Sequence, residues 1–214
     1  MARNIEIKAH IESVESLVPR AAAIASEGPI EIEQDDTFFR CDNGRLKLRA
    51  LTSDRGEIIF YRRADQHGPK ESFYLRSPTS APEALRDALS MAYGAVGRVR
   101  KHRTLFLVGR TRIHLDKVEG LGHFLELEVV LGDDEPSEAG VREAHALMEK
   151  LGIHASQLIE GAYVDLYAQQ GVQPGGGVGR GGKGQASWSS ALAAPHTSTL
   201  NRMPRPRFHA GEAS

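Results

Sequence analysis

Several short segments of this sequence alternate charged with apolar residues, so that one face of each would carry charged side chains. Residues 4–11 read NIEIKAHI, and similar alternation returns over residues 45–49, 101–103, 112–116 and 126–129. Because successive side chains of a strand point to opposite faces, each segment predicts a β-strand with a charged face. A half-buried sheet with its polar face in water explains any one of them. Five together, basic in the middle and acidic at both ends, indicate a polar lumen that holds an anion and a metal ion.

The pattern over residues 1–169 predicts an α+β fold, an eight-stranded antiparallel β-barrel with helices packed outside over the apolar strand faces. Short turns between mostly sequential strands indicate antiparallel pairing, and eight strands are enough to close a barrel. Helix one is predicted from an N-cap at Ser13 to a stop at Gly28. We predict strands near residues 3–12, 31–40, 45–52, 56–63, 71–77, 97–109, 111–117 and 123–132, and helices near 13–27, 81–93, 137–151 and 162–168.

The acidic residues on the inward faces of these strands are candidate metal ligands. They are Glu6, Asp116, Glu126 and Glu128. Two carboxylates at positions i and i+2 of one strand point the same way and can hold one hard divalent cation, and Mg²⁺ and Mn²⁺ both take oxygen ligands. A solvent-facing strand with ordinary surface acids is the open alternative, since short alternations are common.

The basic residues on the same faces are candidate phosphate ligands. They are Lys8, Arg45, Lys47, Arg49, Arg62 or Arg63, Lys101, Arg103 and Arg112. Arginine presents a planar fork that matches phosphate oxygens, and lysine adds a point charge. So many cations facing one cavity would suit a triphosphate, although a solvated face explains any single strand. The side chains of His10 and His114 are also predicted to point inward. Each is either a hydrogen-bonded structural residue, or a residue that acts as a ligand or proton shuttle.

Composition separates a folded body, residues 1–169, from a tail. Residues 170–214 are rich in Gly, Pro, Ser and Arg, which predicts disorder. Residues 177–183 of the tail match the first seven positions of a P-loop. However, Gly184 lies where the P-loop has a Ser or Thr that holds magnesium, and no strand precedes the segment, so we interpret the segment as a linker. Because the tail carries five basic residues and one acidic residue, the body is net acidic, which argues against general nucleic-acid binding.

Other features point to a cytoplasmic protein. No apolar run approaches the roughly 18 residues that a membrane span needs. Cys41 is the only cysteine, so no intrachain disulfide can form, which fits a reducing compartment. No Ser-His-Asp or Cys-His arrangement supports covalent catalysis.

The first strand and the two basic strands resemble motifs of one family, the CYTH domain proteins or triphosphate tunnel metalloenzymes. The family's E-x-E-x-K signature is matched at Glu6 and Lys8, with Asn4 in place of the first glutamate. Asn4 can still supply a carbonyl oxygen, but one negative charge is lost. Residues 44–49 resemble the family's basic second motif, and residues 99–103 resemble its K-x-R strand.

The later part of the chain resembles the same family. Residues 116–128 are similar to its acidic block, D-x-v-x-g-L-G-x-f-x-E-x-E, and residues 161–166 are similar to its closing segment. The resemblance spans about residues 1–168. It implies an eight-stranded antiparallel tunnel that binds a triphosphate together with Mg²⁺ or Mn²⁺.

By this resemblance, each candidate residue acquires an expected role. Glu6, Glu126 and Glu128 would hold the metal. Asp116 would bind a second metal or orient water, and with Lys8 it is placed in a catalytic role. The resemblance assigns phosphate binding to Lys8, Arg45, Lys47, Lys101 and Arg103, and the inward positions of the strands add Arg49, Arg63 and Arg112 to this set.

Three functions stay open at this point. The first is metal-dependent hydrolysis of an inorganic or organic triphosphate, and the second is class IV adenylyl cyclase chemistry, which makes cyclic AMP and pyrophosphate from ATP. The third is a non-catalytic polyphosphate or nucleotide binding module, which Asn4 favours and the acidic block opposes. The expected partner is a small triphosphate, and the oligomeric state is left open, with a homodimer as one alternative.

Overall fold

Eight antiparallel strands close into a barrel in the computed structural model of the chain, which describes residues 2–66 and 68–171. The strands are β1 (Ala2–Ile11), β2 (Glu27–Phe39), β3 (Arg45–Thr52), β4 (Arg55–Arg63), β5 (Lys70–Thr79), β6 (Ala95–Val108), β7 (Thr111–Val118) and β8 (Gly122–Val130). Their order in space is β1-β5-β4-β3-β2-β6-β7-β8, and β8 pairs with β1 to complete the ring. The predicted fold class is confirmed.

The helices lie between and after the strands. They are α1 (Val14–Ile24), α2 (Pro82–Tyr93), α3 (Ser137–Leu151) and α4 (Tyr163–Gln169), with a 3₁₀ turn at Ala155–Gln157. Ser13 caps α1, because its Oγ accepts a hydrogen bond of 3.1 Å from the backbone N–H of Ser16. The predicted first helix is too long, since β2 already begins at Glu27. None of the helices in the described ranges is both long and apolar enough to cross a membrane.

The main hydrophobic core lies outside the barrel, between the sheet and two helices. The outward side chains of β1, β7 and β8 form its floor, and α1 and α3 cover it. The buried residues include Ile5, Ile7, Ile113, Leu115, Leu125 and Leu127 from the strands, and Leu17, Leu147, Met148 and Leu151 from the helices. Burial of this apolar surface away from the lumen leaves the inward positions free for charged residues.

One end of the lumen and the rest of the outer wall are covered differently. A second apolar cluster joins Val118 and Phe124 to Tyr163 and Tyr167 of α4, so α4 packs over one end of the barrel. Helix α2 packs against β2, β3 and β4. The outward residue Leu75 of β5 is 52% exposed, so the prediction that helices cover the apolar faces holds for only part of the wall. The predicted disordered tail, residues 170–214, lies almost entirely outside the described residues and stays a prediction.

Candidate active site

The barrel encloses a cavity of about 260 Å³, close to the roughly 300 Å³ at the lower end of known ligand pockets. Eight cationic side chains and four carboxylates line it, and the excess of cations suits a small polyanion. The cations are Lys8, Lys47, Arg49, Arg63, Arg76, Lys101, Arg103 and Arg112, and the carboxylates are Glu6, Asp36, Glu126 and Glu128.

An acidic group lies on the wall formed by β7 and β8. The strand register sets Glu126 opposite His114, and Glu128 opposite Arg112. Ligand atoms of His114, Glu126 and Glu128 all lie within 4.8 Å of one another, and within the described part of the chain they form the one group of this kind that could hold a metal ion. The structure therefore brings together two of the four predicted acidic ligands and adds a histidine.

Glu126 is buried but surrounded by positive charge. Lys8 Nζ lies 3.0 Å from its Oε1, and Arg103 Nη2 lies 2.6 Å from its Oε2. Burial alone would raise the pKa of Glu126, but the charges of Lys8, Lys101 and Arg103 outweigh it and hold that pKa well below its ordinary value. Glu126 is therefore ionised at neutral pH, as a metal ligand must be.

The lumen wall next to Glu126 holds a buried ion network around Asp116. Asp116 has no exposed surface; Lys101 Nζ lies 2.8 Å from its Oδ2, and Arg103 donates two hydrogen bonds of 2.6 Å to its two oxygens. Burial opposes ionisation of Asp116, but Arg103 and Lys101 outweigh it and keep its pKa far below the usual range. The structure thus places Asp116 behind the cavity, bound to cations, and not with the predicted metal ligands.

The opposite wall, formed by β2, β3 and β4, carries a second set of ion pairs. Asp36 accepts hydrogen bonds from Lys47 Nζ at 2.8 Å and from Arg49 Nε at 2.8 Å and Nη2 at 2.9 Å. Arg76 of β5 makes a fork of 2.7 and 2.9 Å with Glu57. These carboxylates hold the guanidinium and ammonium groups in fixed positions along the cavity.

The start of β1 supplies two further lining residues. Glu6 forms an ion pair with Arg63. Of the two arginines that the sequence offered at this place, Arg63 is therefore the one in the lumen, whereas Arg62 is exposed. Asn4 is 4% exposed, and its Oδ1 is buried with no hydrogen-bond partner among the residues described. An unsatisfied buried carbonyl oxygen on the cavity wall can coordinate a cation or accept a hydrogen bond from water.

Three predicted residues have contacts that the alternation of side chains along the strands did not predict. Arg45 Nη2 lies 2.7 Å from Asp65 and 2.9 Å from Asp165, so its guanidinium is held by acids near α4. Arg112 lines the cavity and donates to Glu128 Oε2 at 3.2 Å. His10 is exposed and contacts the edge of a phenylalanine ring, outside the group that could hold a metal.

Helix α4 contributes a residue that the strand patterns did not predict. The hydroxyl of Tyr163 donates to Asp116 Oδ2 at 3.0 Å, and its ring centre lies 3.8 Å from Lys8 Nζ and 4.8 Å from Lys101 Nζ. Contacts of this kind between a cation and an aromatic ring are favourable. Just before α4, the backbone oxygen of Gly161 accepts a hydrogen bond of 2.6 Å from Arg63.

Further lining residues come from β2 and β5, for which no functional face was predicted, and from β4, on which only an arginine was predicted. They are Ser72, Tyr74 and Arg76 of β5, Gln34, Asp36 and Phe38 of β2, and Tyr61 of β4. Each set alternates along its strand, so parity was the available signal. Because these side chains are a mixture of polar and aromatic groups, they do not indicate one class of ligand.

The comparisons with known proteins agree with this arrangement. Residues 2–163 match the CYTH domain. This chain belongs to the CYTH domain family. The adenylate cyclase CyaB of Aeromonas hydrophila is 24% identical to this CYTH protein over 173 residues, which cover 77% of this chain and 88% of that protein.

Solved structures show the same fold. The PH1012 protein of Pyrococcus horikoshii OT3 has a TM-score of 0.68 at 21% identity, over 76% of this chain and 98% of that chain. A Hippeastrum protein, described as revealing a dominant triphosphatase activity, has a TM-score of 0.56 at 15% identity, over 82% of this chain and 98% of that chain. The family resemblance predicted from the motifs is confirmed.

The residues of this CYTH protein fit a divalent cation. Glu126 and Glu128 offer carboxylate oxygens from one strand, and Asn4 offers a buried oxygen whose hydrogen bonding is unsatisfied by any described residue. The lining cations remain in excess after these carboxylates are counted. A metal and a phosphate chain can therefore share the cavity, as magnesium usually binds proteins through few carboxylates and substrate phosphates.

Proposed function

We propose that this CYTH protein hydrolyses the terminal phosphoanhydride bond of a small triphosphate in a reaction that depends on a divalent metal. The observation that carries the proposal is a small cavity with twice as many cations as carboxylates and with its acidic group on one wall. A triphosphate chain has several negative charges and offers bidentate acceptors to arginine. Inorganic tripolyphosphate and organic triphosphates both satisfy this requirement.

The side chains would divide the work by position. Lys47 and Arg49 on one wall, with Arg112 on the other, would bind phosphate oxygens, and Lys101 and Arg103 would stabilise the charge shared by those oxygens in the transition state. Asp116 and Asp36 would position these cations. Glu126 and Glu128 would hold Mg²⁺ or Mn²⁺, which supplies charge neutralisation and Lewis-acid activation of phosphate oxygens when bound.

Adenylyl cyclase chemistry is the second candidate. Its support is the relative named adenylate cyclase CyaB, which aligns with most of this chain. The cyclase would need the same phosphate and metal ligands, but it would direct the 3′-hydroxyl of ATP at the α-phosphate. The Hippeastrum protein, whose described dominant activity is that of a triphosphatase, supports placing hydrolysis first.

Phosphorus NMR separates the candidates in one experiment. Purified protein is incubated with tripolyphosphate and with ATP, each with Mg²⁺ and then with Mn²⁺. Orthophosphate together with a diphosphate product is the expected result, whereas pyrophosphate and a cyclic phosphodiester from ATP would establish the cyclase. Unchanged spectra with both substrates would leave a binding module, the third function.

A variant of one metal ligand tests whether turnover belongs to this site. Glu126→Gln removes a carboxylate charge from the acidic group, and we expect turnover to fall by at least about 100-fold. Glu12→Gln is the matched control, because Glu12 is exposed just beyond β1. Equal turnover in the two variants would place the activity elsewhere.

A further inference from the structure

The imidazole of His114 faces two carboxylates without bonding to either. His114 is 4% exposed, and its Nδ1 is buried with no hydrogen-bond partner within the described chain. This nitrogen lies 3.7 Å from Glu126 Oε2 and 3.8 Å from Glu128 Oε1. Hydrogen bonds from nitrogen to oxygen span about 2.7–3.2 Å, so these separations leave a gap between three donor atoms.

The gap has the dimensions of a metal coordination sphere. Around an octahedral ion with bonds of about 2.1 Å, neighbouring ligand atoms are roughly 3.0 Å apart and opposite ones roughly 4.2 Å. The separations of 3.7 and 3.8 Å from Nδ1 to the two carboxylate oxygens fall between these values. Three donors at such distances can reach one ion with small side-chain movements.

We propose that His114 Nδ1 is a metal ligand together with Glu126 and Glu128, and that the site therefore prefers first-row transition-metal ions to Mg²⁺. Magnesium demands oxygen ligands in near-ideal octahedral geometry, whereas imidazole is a good ligand for transition metals. The proposal deepens the proposed function, on whose metal site it rests, by naming the class of ion.

The neighbouring side chains leave this position available to the metal. Arg112 donates to Oε2 of Glu128, while Oε1 is the oxygen that faces His114. Lys8 pairs with Oε1 of Glu126. Arg103 donates a hydrogen bond of 2.6 Å to Oε2, the oxygen of Glu126 that faces His114, and the second lone pair of this oxygen is the one that a metal would use. The backbone register fixes His114 opposite Glu126 on adjacent strands, so the imidazole is held in place by the sheet and not by a mobile loop.

The first test uses the unaltered protein with Mn²⁺ as the probe. Pulsed electron paramagnetic resonance should detect hyperfine coupling to one imidazole nitrogen, and calorimetric titration should show tighter binding of Mn²⁺ than of Mg²⁺. The absence of nitrogen coupling, or a dissociation constant for Mn²⁺ no lower than that for Mg²⁺, would overturn the proposal. This test needs no variant to fold.

The second test replaces the nitrogen donor with an oxygen donor. In His114→Gln the nitrogen coupling should vanish, and the preference for Mn²⁺ over Mg²⁺ should fall by about tenfold or more, as for other disturbed metal sites. His145→Gln, on the exposed face of α3, should leave both unchanged. An unaltered metal preference in His114→Gln would contradict the proposal.

The two proposals can fail separately. Triphosphate hydrolysis with Mn²⁺ but without nitrogen coupling would remove His114 from the metal site and leave the proposed function standing. Nitrogen coupling without hydrolysis of any triphosphate would keep His114 as a ligand and remove the function.

Discussion

Glu126 and Leu127 are neighbours in β8, yet they belong to two different parts of the molecule. Leu127 points outward into the core under α1 and α3 and has no exposed surface, whereas Glu126 points into the cavity among Lys8, Arg103 and His114. Small barrels are usually filled by their own side chains. Here the apolar core has moved outside, so the outer face stabilises the fold while the inner face is available for charge.

The inner face is held together by pairing. A buried charge without a partner costs several kcal/mol, and the cavity places carboxylates against cations: Asp116 with Lys101 and Arg103, and Asp36 with Lys47 and Arg49. These pairs fix the cations in place before any ligand binds. The comparison predicts that changes to the inner face alter chemistry, and that changes to the outer face alter stability alone.

The largest effect is expected where one inner residue serves both purposes. In Asp116→Asn, Lys101 and Arg103 lose their shared carboxylate, so the free energy of unfolding should fall by about 3 kcal/mol. We expect kcat/KM for a triphosphate to fall by about 10- to 100-fold, while the dissociation constant for Mn²⁺ changes less than about threefold. Urea unfolding, kinetics and calorimetry measure the three quantities.

Asp134→Asn, at an exposed position after β8, is the control for this substitution. Loss of Mn²⁺ binding in Asp116→Asn with little loss of stability would return Asp116 to the metal-ligand role that the family resemblance implied.

The outer face should behave in the opposite way. Leu127→Ala removes a fully buried side chain, so we expect the free energy of unfolding to fall by about 3 kcal/mol, which corresponds to a Tm lower by about 6–12 °C for a body of this size. Calorimetry measures the Tm, and kcat/KM at 20 °C should change less than about twofold. Leu75→Ala, an outward leucine that is 52% exposed, should change the Tm by less than about 2 °C. A large kinetic effect of Leu127→Ala would contradict the separation of the two faces.

Much of the separation between the inner and outer faces could be predicted, because the alternation of side chains along a strand depends only on local sequence. The pattern of residues 4–11 assigned Ile5 and Ile7 to one face and Glu6 and Lys8 to the other, and the barrel keeps that assignment. Helix ends were predictable where a cap fixes them, as at Gly152, which takes a left-handed φ of 71° after α3.

Parity could not predict which charges pair across the barrel. The alternation of β7 correctly predicts that Asp116 points into the barrel. Whether Asp116 meets a metal ion or two cations depends on the register of β6, which sets Arg103 opposite Asp116. Arg45 is likewise held by Asp165 of α4, a contact over 120 residues of sequence. Tyr163 enters the site from a helix, where no alternation marks it. These features depend on the closed three-dimensional arrangement and not on local pattern.

A pH experiment sharpens the description of the inner face. Burial, with a contribution from Arg49, lowers the pKa of Lys47 to about 8, although Asp36 opposes the shift. If the protonated lysine binds phosphate, affinity for tripolyphosphate should fall by about tenfold between pH 7 and pH 9, as the ammonium loses its proton. Calorimetric titration across this range measures the fall.

Lys47→Arg provides the control, because arginine stays charged throughout. The fall attributable to Lys47 should disappear in this variant, and an identical fall in both proteins would assign it to the ligand. The effect of Lys47 on the free energy of unfolding has the opposite sign. In the folded protein Lys47 releases its proton at a lower pH than in the unfolded chain. This group therefore makes the protein more stable as pH rises from about 8 to about 10.5.

The smallest effect is expected at the helix that packs over one end of the barrel. Tyr163→Phe keeps the ring beside Lys8 but removes the hydrogen bond of 3.0 Å to Asp116, a loss of about 1 kcal/mol. Because Asp116 holds Lys101 and Arg103, kcat/KM should fall by about fivefold. Tyr167→Phe removes a hydrogen bond from the same helix to the backbone of Glu119, outside the lumen. It should lower stability by a similar amount and leave kcat/KM unchanged. Equal kinetic effects of the two substitutions would mean that α4 acts only by packing, whereas a difference would extend the functional inner face beyond the strands.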